Sequence, residues 1–206
     1  AYLAGIPDGQ AKTDGIAVGE ATARAVLAAR SKDNFYNTAT YSNPAAALGV
    51  WQSVATATPY ATAGANDYAM AFTMPLTASS PDARRIKPPP RLASGKYRRD
   101  FEETKAYGAL TSTTRTPAMT NVVQFWTESG FTLWSRNVRD IVTARGLDEF
   151  EAARALAAFS VATGDAMLAC FESKYAHMFW RPWQGIQRAD QDGNPRTHPE
   201  PAWTPT

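Results

Sequence analysis

Cysteine is nearly missing from this chain. Cys170 is the sole thiol in 206 residues, so no intrachain disulfide framework can exist. Charge of one sign is missing too. The formal net charge is only +2 and the basic residues are scattered, with no stripe that argues for a nucleic-acid partner. No window approaches 18 consecutive apolar residues, so no transmembrane segment is expected. The first residues, AYLAGIPDGQ, lack the basic flank and apolar run of a signal peptide, and the sequence assigns no compartment. There are no zinc spacings, no glycine-rich phosphate loop before a helix and no serine-elbow motif. No internal repeat at solenoid period and no persistent strand alternation is present.

What is present is a chain with 44% hydrophobic residues, enough for one core. It reads as one domain, or the middle portion of one helical domain, of the all-α class with long irregular loops. A first helix is expected over roughly 8–30, with Asp8 as its N-cap. Others are expected over 96–111, from Thr116-Pro117 onward, and from 131 to a stop at Gly146. Asp148 then caps the longest helix, read as about 149–180. Residues 31–95 break this pattern, being rich in Pro, Ser, Thr and Gly with no helical period. Aromatic content argues against disorder there. The reading is an irregular wrapping segment anchored by Trp51, Tyr60, Tyr68, Phe72, Met74 and Leu76.

The segment SKYAHMFWRPWQGI, residues 173–186, carries the chemistry. At about 100° per residue, positions seven apart on a helix return to nearly one face, so Lys174 and Arg181 are expected to point the same way, two turns apart. Met167, Cys170, Phe171 and Met178 share that face, and His177 borders it. Two cations on an apolar, aromatic face need a reason, because burying unpaired charge is strongly unfavourable. One reason is an anion held between them: arginine offers a planar fork and lysine a compact point charge. The plainer reading is that both cations snorkel to water, or that Arg181 pairs with a nearby carboxylate.

Lys174, six residues, then Arg181-Pro182 resembles the first signature of the vanadium-dependent haloperoxidase and type 2 phosphatidic acid phosphatase superfamily. GDAMLACFESKYAHMFWRPWQGI, the turn DGNP, PAWTPT, IPDGQAKTDGIAVGEA, PPPRLAS and TSTTRTPAMTNVVQFW are similar to its haloperoxidase-like branch, in the expected order. The resemblance implies a helical bundle with an oxyanion pocket in its core. It implies that Lys174 and Arg181 bind vanadate, or phosphate or sulfate in its place. Phe171, His177 and Met178 are then pocket wall. Some of these proteins carry tryptophan three residues before the lysine; Phe171 stands there here, apolar but without an indole N–H.

The family's serine-glycine-histidine segment, and its later arginine with the histidine that bonds vanadium or attacks phosphorus, are not in this sequence. No catalytic residue and no metal-ligating side chain is therefore assigned, and the chain reads as an internal fragment, with a second chain or missing segments completing the fold. The implied function is oxidation of a halide by hydrogen peroxide. The alternatives are acid phosphatase action on a phosphoester, and a non-catalytic oxyanion-binding or structural role. The resemblance makes an extracellular or periplasmic location plausible. Among other candidates, Asp165 is expected to face away from the anion in a buried hydrogen-bonding role. Asp190, Asp192 and Asn194 alternate like calcium-loop ligands, but Pro195 and Pro201 occupy the glycine and glutamate positions, so a turn is expected. Cys170 is expected to be packed and inert, and His198 to be a loop residue.

Overall fold

The computed structural model describes residues 2–52 and 67–206. Tyr60 lies outside the described residues. The described residues form an all-α architecture, a helical bundle of α1 (Gln10–Arg30), α2 (Gly95–Gly108), α3 (Pro117–Phe125), α4 (Gly130–Ala144), α5 (Glu149–His177) and α6 (Pro182–Gln187).

Helix starts follow local chemistry. The Ser94 hydroxyl accepts from the Tyr97 amide, and the Thr116 hydroxyl accepts from Met119 with Pro117 following. Asp148 and Glu151 cap α5 reciprocally, at 2.8 and 3.2 Å. Gly146, at φ 58°, ends α4 in the left-handed region. Asp8 does not cap α1, which starts after Gly9; its carboxylate instead accepts from Lys12 at 2.8 Å. The Lys12 ammonium one turn on offers a stronger partner than a neutral amide.

α5 is the axis of the molecule. Two 3-10 turns of the segment 31–95, Tyr68–Phe72 and Pro81–Arg84, pack on it. The anchors of that segment differ from expectation. Trp51 and Tyr68 pack with Ala71 and Tyr175 in one aromatic cluster. Phe72 and Leu76 leave their side chains exposed. Leu76 is held by its backbone, whose amide donates to the Asp165 carboxylate at 2.6 Å, and Met74 by backbone bonds to Asp33 and Arg30. Backbone amides in irregular segments need acceptors, and buried carboxylates supply them.

A second cluster joins Tyr97, Phe101, Trp180, Ile186 and Trp203, fixing α2 against α6 and the C-terminal segment. α6 approaches closely: a Cβ on Gly185 would meet the Trp180 indole at 3.1 Å. The turn after α6 is self-contained. Asp192 accepts from the Asn194 amide and the Thr197 hydroxyl, and the Asn194 side chain donates to Leu92 O.

The other helices are thinly covered. α1 and α3 bury no residue and α4 buries only Leu133. Phe125, Trp126, Phe131, Trp134, Ile141 and Phe150 are exposed. Accessible surface is 14068 Å², against about 9,400 Å² for a compact monomer of this mass. α5 is long and apolar enough to cross a membrane by length and composition, with a window of mean hydropathy 1.3. Soluble core helices pass the same test. Asp165 and Glu172 are buried on α5, and both bond to the wrapping segment of this chain.

Candidate functional site

The sequence reading placed Lys174 and Arg181 on one helix. The structure brings them together by another route. α5 stops at His177, and Met178 adopts the left-handed conformation at φ 47° with its amide donating to Lys174 O. Pro182 holds Arg181 extended and opens α6. Arg181 is therefore outside α5, and helical periodicity does not align it with Lys174.

Backbone pairing does the alignment. Residues 49–51 run antiparallel to 178–180: the Trp51 amide donates to Met178 O at 2.7 Å, and the Trp180 amide to Gly49 O at 2.8 Å. Gly49 sits at φ 75°, where a side chain would be strained, and an added Cβ would meet Leu92 at 3.1 Å. This ladder carries the chain back beside the end of α5 and sets Arg181 over the Trp51 ring, 6.0 Å from centroid to guanidinium carbon.

The result is a cavity of about 580 Å³ whose wall holds Lys174, Arg181 and His177 together with Trp51, Phe179 and Cys170. Lys87, Ser173, Ile86 and Pro89 complete much of the remainder. No carboxylate among the described residues stands in this wall. Among the described residues, neither Lys174 nor Arg181 forms an ion pair. Lys174 instead lies over two rings, 5.1 Å from Phe171 and 4.9 Å from Tyr175. Burial, and then the Arg181 charge, hold its pKa below the ordinary lysine value, against a smaller opposing pull from Cys170 and Asp67.

The remaining expected residues fall in distinct places. His177 lines the cavity, but its Nε2 lies 2.7 Å from Ile86 O, so that nitrogen carries a proton and donates it to the carbonyl. Phe171 and Met178 pack against the aromatic cluster of Trp51 and Tyr175 and do not line the cavity themselves. Cys170 is not packed: it is exposed and faces the cavity. Flanking apolar residues suggested burial, but α5 turns that position outward from the aromatic cluster. Asp165 is buried, as expected, and bonds to Leu76 and Thr77. His198 is an exposed loop residue whose carbonyl accepts from Lys105.

Two cavity residues carried no site signal in the sequence. Trp51 read as a wrapping anchor, and Lys87 was not singled out. Each lies in an irregular segment, and no spacing relates it to Lys174. Trp51 is 3% exposed, and its indole N–H has no acceptor among the described residues. Pro182, in contrast, was a legible sign that the helix stops before Arg181.

No family model, no curated protein and no solved structure matches this chain.

Proposed function

We propose that the cavity at the end of α5 is an oxyanion-binding site and that Lys174 and Arg181 are its principal ligands. The observation that carries this reading is the pair itself: two cations converge on one cavity wall that contains no carboxylate, and neither has an ion-pair partner among the described residues. A desolvated lysine beside an arginine is unfavourable unless an anion offsets both charges.

With the sequence resemblance, the reading extends to a vanadate-dependent haloperoxidase-like protein that oxidises a halide with hydrogen peroxide. The residues present fit the oxyanion half of such a site: Lys174 and Arg181 would hold vanadate oxygens. When bound, vanadate would act as the Lewis acid toward hydrogen peroxide. Lys174 and Arg181 would offset its negative charge, and the Trp51 and Phe179 rings would exclude water. His177 donates through Nε2 to Ile86 O and does not offer that nitrogen to a metal or to phosphorus.

The second reading is acid phosphatase action on a phosphoester, since phosphate and vanadate share tetrahedral geometry. It is favoured by the cavity volume, about 580 Å³ and mostly apolar-lined, which exceeds the need of a bare oxyanion. The bare helix faces of α3 and α4 support the proposal that a second chain, or segments beyond this one, completes the bundle and supplies the reacting histidine.

Calorimetry with inorganic phosphate and orthovanadate tests the oxyanion reading. Arg181→Ala should abolish binding while leaving helical content intact, and unchanged affinity refutes the clamp. Vanadate-dependent bromide oxidation against hydrolysis of an aryl phosphate then separates the two activities. Binding with neither activity supports the non-catalytic role.

A further inference from the structure

The wall of the cavity contains a cation that neither the spacing of Lys174 and Arg181 nor the resemblance assigns. Lys87 belongs to IKPPP, far from α5 in sequence, yet it lines the same cavity. Its approach is built on both sides. The preceding residues are tied to α5: the Arg85 guanidinium donates to the Glu172 carboxylate, the Ile86 amide donates to the Ser173 hydroxyl at 3.1 Å, and Ile86 O accepts from His177. The following residues, Pro88 to Pro90, have fixed φ angles and little freedom to lose. Beyond them Leu92 O accepts from the buried Asn194 side chain at 2.8 Å, and Leu92 packs on the Trp180 cluster.

A strap anchored this way holds Lys87, which follows the Ile86 anchor directly, at a set place; Arg91, the other charged residue before Leu92, does not line the cavity. Glu172 on α5 is buried, with its Oε1 bound to Arg85 and its Oε2 without a hydrogen-bond partner among the described residues. Lys87 forms no ion pair among the described residues. Three positive side chains thus meet one wall without a carboxylate among the described residues. An anion that enters is attracted by every cation on the wall, and a dianion more than a monoanion.

We infer that Lys87 is a third contact of the bound anion, delivered by the Arg85–Pro90 strap, and that it makes the site prefer dianionic over monoanionic ligands. This rests on the oxyanion reading above. The stem of Lys87 is exposed, so its charge can be removed without cutting into a core.

The test is titration of the whole chain with inorganic phosphate at pH 8, and with nitrate as the monoanion, at fixed ionic strength. Lys87→Gln should weaken phosphate binding about tenfold, the equivalent of one charge-assisted contact, and should narrow the gap between phosphate and nitrate. Lys87→Arg should restore most of the loss. Lys96→Gln, which removes a lysine paired with Asp100 on α2, should change neither. An unchanged thermal midpoint in Lys87→Gln would separate lost contact from lost fold. If Lys87→Gln binds phosphate like the parent while Arg181→Ala does not, the third contact is wrong and the clamp stands. If both bind like the parent, the oxyanion reading falls, and the Lys87 assignment with it.

Discussion

The guanidinium of Arg181 lies over the indole of Trp51, 6.0 Å from the ring centroid, because a short antiparallel pairing ties residues 49–51 to 178–180. Position and stability are therefore coupled at this site. Trp51 is buried and its backbone amide donates to Met178 O. Trp51→Ala should cost about 3–5 kcal/mol of stability and also free Arg181 from its platform. Trp51→Phe should keep most of the stability and most of the phosphate affinity. Denaturant unfolding and calorimetry on the two variants check this. Equal phosphate affinity in parent and alanine variant would show that the ring does not position Arg181.

Asp165 makes the wrapping segment sensitive to acid. Burial opposes its ionisation, but the Thr77 hydroxyl and the Leu76 and Thr77 amides outweigh burial and hold its pKa below the ordinary carboxylate value. A depressed folded-state pKa contributes stability above the unfolded pKa and loses it as pH falls through the folded one. The stability of the parent should therefore drop below about pH 4. Asp165→Asn should be destabilised at neutral pH by about 1–3 kcal/mol, because an amide cannot accept all three bonds, and should lose part of the acid slope. Urea midpoints from pH 3 to pH 7 measure both.

Lys174 gives a signature at the alkaline end of the pH range. Its pKa is depressed by burial and by Arg181. Between the folded value and the higher unfolded one, the unfolded chain binds more protons, so this group makes stability rise with pH in that window. A bound oxyanion favours the charged lysine and should raise the pKa. Phosphate binding at alkaline pH below the ordinary lysine pKa should take up protons, and affinity should decline as Lys174 deprotonates. Heats measured in buffers of different ionisation enthalpy count those protons. Zero uptake would place the anion away from Lys174.

Gly49 is the backbone condition for the site. With φ at 75° and Leu92 crowding its Cβ position at 3.1 Å, Gly49→Ala should cost about 1–2 kcal/mol. It should also weaken phosphate binding by loosening the ladder that sets Arg181. Loss of stability without loss of affinity would show that the 49–51 pairing is not needed to hold Arg181.

The sequence by itself determined the helical class and most helix starts. Thr116-Pro117, Asp148 and Gly146 act on amides and dihedrals within a turn of themselves, and such chemistry is local enough to be read directly, while the Ser94 cap and the Glu151 half of the α5 capping box came from the structure. The sequence also marked Lys174 and Arg181 as cations in need of an explanation, and Asp165 as a buried acceptor. Only the tertiary structure decided how the two cations meet. Met178 ends α5 early, and pairing with residues 49–51 returns Arg181 to the cavity, a contact between distant segments that no periodicity encodes. The same holds for Lys87 and Trp51. Each sits in irregular chain whose path is fixed by long-range bonds to Glu172, Ser173 and Met178, so its place at the cavity follows from the folded molecule and not from its neighbours in sequence.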